Sequence, residues 1–152
     1  MQSSPVAPRA VLFDAYGTLF DVYSVGLLAE QVFPGHGERL ALLWREKQID
    51  YTRLLTMSGR YKPFWEVTRA GLRYAAARLS LTLTEAAEEQ LMNQYRHLSA
   101  FPENREVLVE LNRRGIVTGI LSNGDPQMLG VAVKSAGLTE LLTHVLSVHG
   151  VQ

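Results

Sequence analysis

The sequence lacks several features that would assign it to well-known classes of protein. It has no cysteine, which excludes disulfides, thiolate metal sites and a cysteine nucleophile. Its 15 Lys and Arg balance its 15 Asp and Glu, so it has no excess of positive charge for nucleic acid or an anionic membrane. No apolar run approaches the roughly 20 residues of a membrane-spanning helix. We therefore expect a cytoplasmic protein with no nucleic-acid or membrane partner.

The composition is nevertheless that of a globular protein. With 152 residues, of which 47% are hydrophobic and 20% charged, the chain can fill one ordinary core or a compact core with a small insertion. Residues 1–8 are polar and contain two prolines, with no basic stretch before an apolar run, so they do not resemble a signal peptide. We expect residues 1–7 to form a frayed tail.

Short apolar runs predict three strands. Such runs are typical of strands that are buried on both faces of a parallel sheet, and they occupy residues 10–13, 116–121 and 145–148. Helices are predicted between them at residues 106–113 and from Asp125 to Gly137, where Asp125 and Pro126 provide a capping acid and a first-turn proline. This alternation predicts an α/β fold with a parallel, Rossmann-like core sheet.

The region between the first strand and residue 98 has only helical periodicity. One long helical face is predicted from residues spaced by three or four positions: Leu40, Leu43, Trp44, Lys47, Tyr51, Leu54 and Leu55. Pro63 can begin the next helix, and a capping box at residues 82–85 predicts a third that runs towards Leu98. We therefore expect a helical cap domain at residues 23–98, inserted into a core domain of residues 1–22 and 99–152.

Polar residues follow two of the predicted strands. Asp14 and Thr18 follow the first strand, and Ser122 and Asn123 follow the second. Ligands of open parallel sheets bind beyond the carboxyl ends of the strands, so these side chains converge if the two strands are neighbours. A partly desolvated Asp, oriented by backbone N–H groups, suits a nucleophile that forms a covalent ester. Ser122, Asn123 and the N–H groups of the next helix can bind an anion.

Each of these features also has a purely structural interpretation. An Asp after an apolar run is commonly a turn or capping residue. Residues 122–126 (Ser-Asn-Gly-Asp-Pro) form a sound helix entry. Arg45 would ordinarily be a solvated charge on an amphipathic helix.

The combination of motifs resembles a known family. Residues 11–22 resemble the first motif of the haloacid dehalogenase superfamily, in its (S)-2-haloacid dehalogenase branch. Residues 44–48 (Trp-Arg-Glu-Lys-Gln) resemble the arginine segment on the cap of that branch, and residues 121–124 resemble the second motif of the superfamily. The three occur in the family's order, and the resemblance extends from Arg9 onward.

The resemblance implies hydrolytic dehalogenation of small (S)-2-haloalkanoic acids, such as haloacetate and 2-halopropionate, to 2-hydroxy acids. Asp14 would displace halide and form an aspartyl ester, which water then hydrolyses. The resemblance also implies that Thr18 orients Asp14 and that Arg45 and Asn123 stabilise the halide. Ser122, with backbone N–H groups near Tyr16 and Asn123, would bind the substrate carboxylate. Tyr16, Ile49 and Phe64 would form an apolar wall.

Tyr16 distinguishes this activity from the alternative, a magnesium-dependent phosphatase. Phosphatases of the superfamily have a second Asp two residues after the nucleophile, which protonates the leaving group and helps to bind Mg²⁺. An alkoxide leaving group needs that proton, whereas halide does not. Tyrosine at this position therefore favours the dehalogenase, for which we expect no metal and no cofactor.

The sequence also departs from the family's pattern. The resemblance implies a catalytic Lys soon after the third strand and a later Asp that orients water, and neither is found up to Gln152. We therefore expect a truncated form of an active enzyme, with an inactive binding fragment as the other alternative. Relatives are commonly homodimers, so a homodimer is also expected. His149 stands where relatives often have an acid, and we expect an exposed loop residue there.

Overall fold

The computed structural model of the chain describes residues 8–150. The predicted tail at residues 1–7 lies outside these residues. Within them, no helix combines the length and the hydropathy needed to cross a bilayer.

Three parallel strands form the sheet within residues 8–150. They are β1 (Ala10–Phe13), β2 (Val117–Ser122) and β3 (His144–Ser147), in the spatial order β1-β2-β3. The register sets Phe13 beside Ile120 and Ser122 beside Ser147. Two helices, α5 (Pro102–Arg113) and α6 (Pro126–Ser135), connect the strands. The predicted fold class, α/β with a parallel sheet, is confirmed.

Four helices lie between β1 and α5. They are α1 (Gly26–Val32), α2 (Gly37–Met57), α3 (Phe64–Arg78) and α4 (Glu85–Arg96). We call these four helices, with the loops that join them, the cap, and the sheet with α5, α6 and the segments that follow the strands the core. The domain boundaries at residues 22/23 and 98/99 stay a prediction. One cluster of buried apolar side chains includes residues of both parts, among them Phe20, Trp44 and Leu129.

Some predicted helix starts were wrong. Helix α4 is capped by Thr84, whose Oγ1 accepts a hydrogen bond from the N–H of Ala87 at 3.2 Å, and not by Thr82. Helix α5 begins at Pro102, four residues before the predicted start, because proline is favoured in the first turn of a helix. Asp125 stands at the N-cap position of α6, but its side chain makes no capping bond to that helix.

The predicted buried face of α2 was also only partly right. Leu54 is 60% exposed, and the buried positions are Gly37, Leu40, Ala41, Trp44 and Gln48. Of these positions, Trp44 and Gln48 face α3. The two helices approach closely at Gly71, where an added Cβ would lie 3.2 Å from the main-chain oxygen of Trp44. The close approach at this glycine draws the Trp44–Gln48 edge of α2 inward and leaves the edge with Leu54 outside.

One face of the sheet carries exposed apolar side chains. Leu12, Leu121 and Leu146 share this face and are 51%, 48% and 44% exposed. On the opposite face, Thr118 and Ile120 of the central strand are buried, whereas Val145 of β3 is 41% exposed. Since the strand order runs in one direction, right-handed crossovers set α5 and α6 on the same side. The prediction that the strands are buried on both faces was therefore wrong for residues 8–150.

Candidate active site

A pocket of about 180 Å³ lies where the carboxyl ends of β1 and β2 meet the cap. Parallel neighbouring strands end at one edge of the sheet, so the residues that follow them come together there. The core contributes Asp14, Tyr16, Ser122 and Asn123 to the pocket wall, and the cap contributes Arg45, Gln48, Ile49, Thr52, Arg53 and Phe64.

All the predicted site residues except Thr18 line this pocket. Thr18 is exposed, and its main-chain oxygen accepts a hydrogen bond from Asn104 Nδ2 at 3.1 Å. Asp14 lines the pocket but is exposed, which corrects the expectation of a partly desolvated carboxylate. Asp14 directly follows β1, which is an edge strand among the described residues, so no further strand covers the outer side of β1.

Arg45 reaches from the cap to the core. Its Nη2 donates a hydrogen bond to the main-chain oxygen of Tyr16 at 2.7 Å, and its side chain is partly buried. The contact depends on Gly17, which has a φ of +96° and where a Cβ would lie 3.2 Å from Nη2. The interpretation of Arg45 as a solvated surface charge was therefore wrong.

Gln48 orients Arg45 and was not among the predicted site residues. Its side chain is fully buried, and its Oε1 accepts hydrogen bonds from Arg45 Nη1 at 2.7 Å and from the Tyr95 hydroxyl at 3.0 Å. Its Nε2 donates to Thr68 Oγ1 at 2.6 Å, and that hydroxyl donates to the main-chain oxygen of Phe64 at 2.7 Å. These bonds hold the guanidinium at a fixed place on the cap.

Burial raises the pKa of Tyr95 to about 12, so its hydroxyl remains a donor to Gln48 at neutral pH. The signal that could have identified Gln48 is its spacing. It lies four residues after Trp44 and so shares the buried face of α2, where a polar side chain needs a partner.

Tyr16 forms an aromatic wall of the pocket. It is 3% exposed, and its ring centroid lies 5.3 Å from that of Phe64 and 5.8 Å from that of Tyr95. Burial and the nearby Tyr95, Asp125 and Asp14 raise the pKa of Tyr16 well above its ordinary value, so the phenol stays protonated. The hydroxyl has no hydrogen-bond partner among residues 8–150. Its surroundings are those of an apolar wall.

The loop after β2 holds Ser122 against the wall. Ser122 is buried, and its Oγ accepts a hydrogen bond from the N–H of Gly124 at 3.2 Å. Ser147 Oγ donates to the main-chain oxygen of Gly124 at 2.6 Å, which ties the loop to β3. A Cβ on Gly124 would lie 2.7 Å from the Tyr16 ring, so this position requires glycine. Asn123 is exposed on the pocket side of the same loop.

The charges of the pocket favour a small anion. Arg45 and Arg53 line it, and Asp14 is the single carboxylate in the part of the wall that residues 8–150 form. A larger cavity of about 490 Å³ lies between α2 and α3, but it contains none of the residues at the strand ends. Residue chemistry, and not volume, therefore identifies the candidate site.

The side chain of His149 is 42% exposed, in line with the prediction of an exposed residue, but it makes contacts that were not predicted. Its Nδ1 lies 2.5 Å from the hydroxyl of Tyr61 on the cap and 3.8 Å from Asp125 Oδ1. It is thus part of the boundary between cap and core.

Comparison with known proteins identifies relatives of the whole described region. A family model for hydrolases, described as haloacid dehalogenase-like hydrolase, matches residues 8–152. The chain is 42% identical over 144 residues to the (S)-2-haloacid dehalogenase of Pseudomonas sp. (strain YL), and the match covers 95% of this chain and 62% of that protein. The chain therefore spans about three fifths of the length of this relative.

Solved structures give the same picture. The crystal structure of the L-2-haloacid dehalogenase RSc1362 superposes with a TM-score of 0.92 at 60% identity, over 96% of this chain and 66% of that one. The L-2-haloacid dehalogenase from Xanthobacter autotrophicus, with chloropropionic acid covalently bound, gives a TM-score of 0.88 at 41% identity, over 95% of this chain and 58% of that one.

Proposed function

Because the chain belongs to the haloacid dehalogenase-like hydrolases, we propose that the protein hydrolyses the carbon–halogen bond of small (S)-2-haloalkanoic acids. Haloacetate and 2-halopropionate are substrates of this kind, and 2-hydroxy acids are the products. The observation that carries the proposal is the joint presence of Asp14, Arg45 and Ser122 around one small pocket. The names of the relatives support the choice of substrate and its configuration.

In the proposed reaction, an oxygen of the Asp14 carboxylate attacks the carbon that bears the halogen. The carbon–halogen bond breaks, halide leaves with the electron pair, and the configuration of the carbon is inverted. Asp14 and the substrate are then joined by an ester. Water hydrolyses the ester, which releases the 2-hydroxy acid and a proton and restores the carboxylate.

The surrounding residues have separate tasks in this proposal. Arg45, together with Asn123, stabilises the departing halide, since a fixed positive charge acts most strongly where negative charge develops. Ser122 and backbone N–H groups near Tyr16 and Asn123 bind the substrate carboxylate. The proposed role of Thr18, which is to hold the Asp14 carboxylate, lacks the support of pocket geometry because Thr18 lies outside the wall.

The apolar part of the wall suits halide displacement. Tyr16, Ile49 and Phe64 line the pocket, and they would exclude bulk water from the reacting carbon. A magnesium-dependent phosphatase is the less favoured function. It needs a second carboxylate beside the nucleophile, at the position of Tyr16, whose buried phenol offers neither a labile proton near neutral pH nor a carboxylate for Mg²⁺.

The test is incubation with (S)-2-chloropropionate, followed by measurement of chloride and by mass spectrometry of the peptide that contains Asp14. We expect chloride release and an adduct on Asp14 that corresponds to the ester. Detection of the ester does not depend on its hydrolysis. Asp14→Asn should abolish both signals while its circular dichroism spectrum stays native. Asp21→Asn is the matched control and should retain both, because Asp21 does not line the pocket.

Two results would overturn the proposal. Hydrolysis of p-nitrophenyl phosphate in the presence of Mg²⁺, with neither chloride nor ester formed, would identify the phosphatase. Absence of all three signals would identify a non-catalytic binding fragment.

The proposal extends to location and assembly. A cytoplasmic location is supported by the absence of cysteine, and a homodimer by the resemblance to the dehalogenase branch. Cell fractionation and light scattering coupled to gel filtration test the two statements. Secretion of the protein, or a monomer at micromolar concentration, would contradict them.

A further inference from the structure

Asp125 joins the core to the first turn of a cap helix. Its Oδ2 accepts a hydrogen bond from the backbone N–H of Trp65 at 3.0 Å, across 60 residues of sequence. Trp65 is the second residue of α3, and Pro63, which precedes the helix, has no side-chain acceptor. The first N–H groups of a helix have no partner within it. The carboxylate of Asp125, in the core, therefore accepts a hydrogen bond from the first turn of α3, as an N-cap side chain ordinarily does.

The charge of Asp125 suits this position. The N-terminus of a helix carries partial positive charge, so a carboxylate there is favourable. Helix α6, which Asp125 precedes directly, receives no capping bond from its side chain. The carboxylate is thus directed to the cap instead of to its own helix.

A second contact lies beside the first. The hydroxyl of Tyr61, on the cap, is 2.5 Å from His149 Nδ1, on the core, and the same nitrogen lies 3.8 Å from Asp125 Oδ1. Burial and the neighbouring Asp125 and Glu66 raise the pKa of Tyr61, so its hydroxyl keeps its proton and can act as a hydrogen-bond donor. The backbone N–H of His149 donates a hydrogen bond to Ser147 Oγ at 3.1 Å.

These contacts flank the pocket. Phe64 precedes Trp65 and lines the candidate site, and it also lines a neighbouring cavity of about 120 Å³ together with Tyr61, Asn123 and Val148. Asn123 lies two residues before Asp125. A shift of α3 away from Asp125 would therefore move Phe64, one wall of the pocket, relative to Asn123, another wall.

We propose that Asp125 is a positioning residue that caps α3 from the core and thereby holds Phe64 and the cap in place over the pocket. Tyr61 and His149 reinforce this contact. The consequence for substrate affinity rests on the proposed dehalogenase function, whereas the contact itself does not.

Hydrogen exchange of the Trp65 amide tests the contact directly, because Asp125 is the acceptor of this first-turn N–H. In Asp125→Ala the amide should exchange at least about tenfold faster, whereas Asp125→Asn, whose amide oxygen can still accept the bond, should keep exchange slow. Thr84→Ala is the matched control. It removes the N-cap of α4, which lies wholly within the cap, and should leave the Trp65 amide unchanged.

Kinetics with (S)-2-chloropropionate test the consequence. Asp125→Ala should raise KM by about five- to tenfold with a smaller change in kcat, and Asp125→Asn should restore KM. Thr84→Ala should lower the melting temperature without changing KM. Tyr61→Phe provides a variant that keeps the carboxylate, and it should raise KM in the same direction by a smaller factor.

Equal exchange of the Trp65 amide in native protein and Asp125→Ala would overturn the proposal. It would also be overturned if Asp125→Asn behaved like Asp125→Ala in exchange and KM. If the native protein formed neither chloride nor ester, the dehalogenase function would fail, and the exchange of the Trp65 amide would still decide whether Asp125 caps α3.

Discussion

The cap and the core differ in how they expose the polar groups around the pocket. In the cap, Gln48 and Thr68 are fully buried, and each has hydrogen-bond partners within 3.0 Å. In the core, Asp14 and Asn123 are exposed at the end of the sheet. The cap therefore holds Arg45 in a fixed position, while the core presents Asp14, the proposed nucleophile, at an open edge. A fixed cation and an accessible carboxylate are what halide displacement requires.

The two parts differ in their surfaces as well. Glu88 is nearly buried in the cap and pairs with Arg69 and Arg73, each at 2.6 Å. On one face of the sheet, by contrast, Leu12 and Leu146 are not covered by any other part of residues 8–150 and are exposed. The cap also leaves apolar side chains exposed, among them Leu27, Leu54 and Met57, whereas the exposed Leu12, Leu121 and Leu146 of the sheet lie together on one face.

After loss of Asp14, the proposed nucleophile, the largest effect should come from Arg45. Arg45→Ala removes the bond to the Tyr16 main chain and one of the two positive charges that line the pocket, and it should lower kcat for (S)-2-chloropropionate by about 10²- to 10³-fold. Stopped-flow or steady-state chloride release measures the change. Arg39→Ala, on the exposed side of the same helix, should have native kinetics. Near-native activity of Arg45→Ala would mean that Arg45 supplies no catalytic charge.

Gln48 tests whether a buried network, and not charge alone, sets the position of Arg45. Gln48→Leu leaves the guanidinium, Thr68 and Tyr95 without their shared partner, so the free energy of unfolding should fall by about 1–3 kcal/mol. We also expect kcat to fall about tenfold, because Arg45 loses one of its two anchors. Urea unfolding and kinetics on the same sample measure both. A stable variant with native kcat would contradict the positioning role.

Glu88 tests how much the ion pairs of the cap contribute to the free energy of unfolding. Hydrogen bonds from Arg73 and Arg69 hold the pKa of Glu88 below its ordinary 4.5. A carboxyl with a lowered pKa stabilises the fold fully above its unfolded pKa and ceases to do so as the pH falls through the folded one. Glu88→Gln should therefore cost about 1–2 kcal/mol at pH 7, with a smaller difference from native protein near pH 3.

Catalysis should be unaffected by this change, since Glu88 does not line the pocket. The measurement is urea unfolding at the two pH values, with Glu89→Gln, which pairs with Arg69 from an exposed position, as the control. A loss in Glu88→Gln that is equal at both pH values would show that the ion pairs are not its cause.

The smallest effect is expected on the open face of the sheet. Leu146→Thr should change the free energy of unfolding by no more than about 0.5 kcal/mol, because the side chain is already exposed. Ile120→Thr, on the buried face of β2, should cost about 2–4 kcal/mol. Thermal unfolding of the two variants compares the faces. Similar losses in both would show that the open face is covered in solution.

Local patterns in the sequence predict much of this structure. The run before Asp14 predicts β1 with its observed bounds, because a short apolar segment followed by a turn suits a strand. Ser122 and Asn123 could be predicted to join Asp14, since parallel neighbours end at one edge. Gln48 was missed because a polar residue on a helix is ordinarily solvated, and no local feature names its partners. The exposed face of the sheet was not predicted, because an apolar run in the sequence does not indicate on which side of the sheet the connecting helices pack.

Features that depend on a few neighbouring residues can be predicted from the sequence: the strand that ends before Asp14, the glycine turn after it and the helical periodicity of the cap. Contacts between distant residues follow only from the packing of the folded chain. Arg45 meets Tyr16 across 29 positions, and Asp125 caps a helix 60 positions away instead of its own. The physical reason is that steric preferences and periodicity act along the chain, whereas the partner of a buried charge or an unpaired N–H depends on which surfaces pack together.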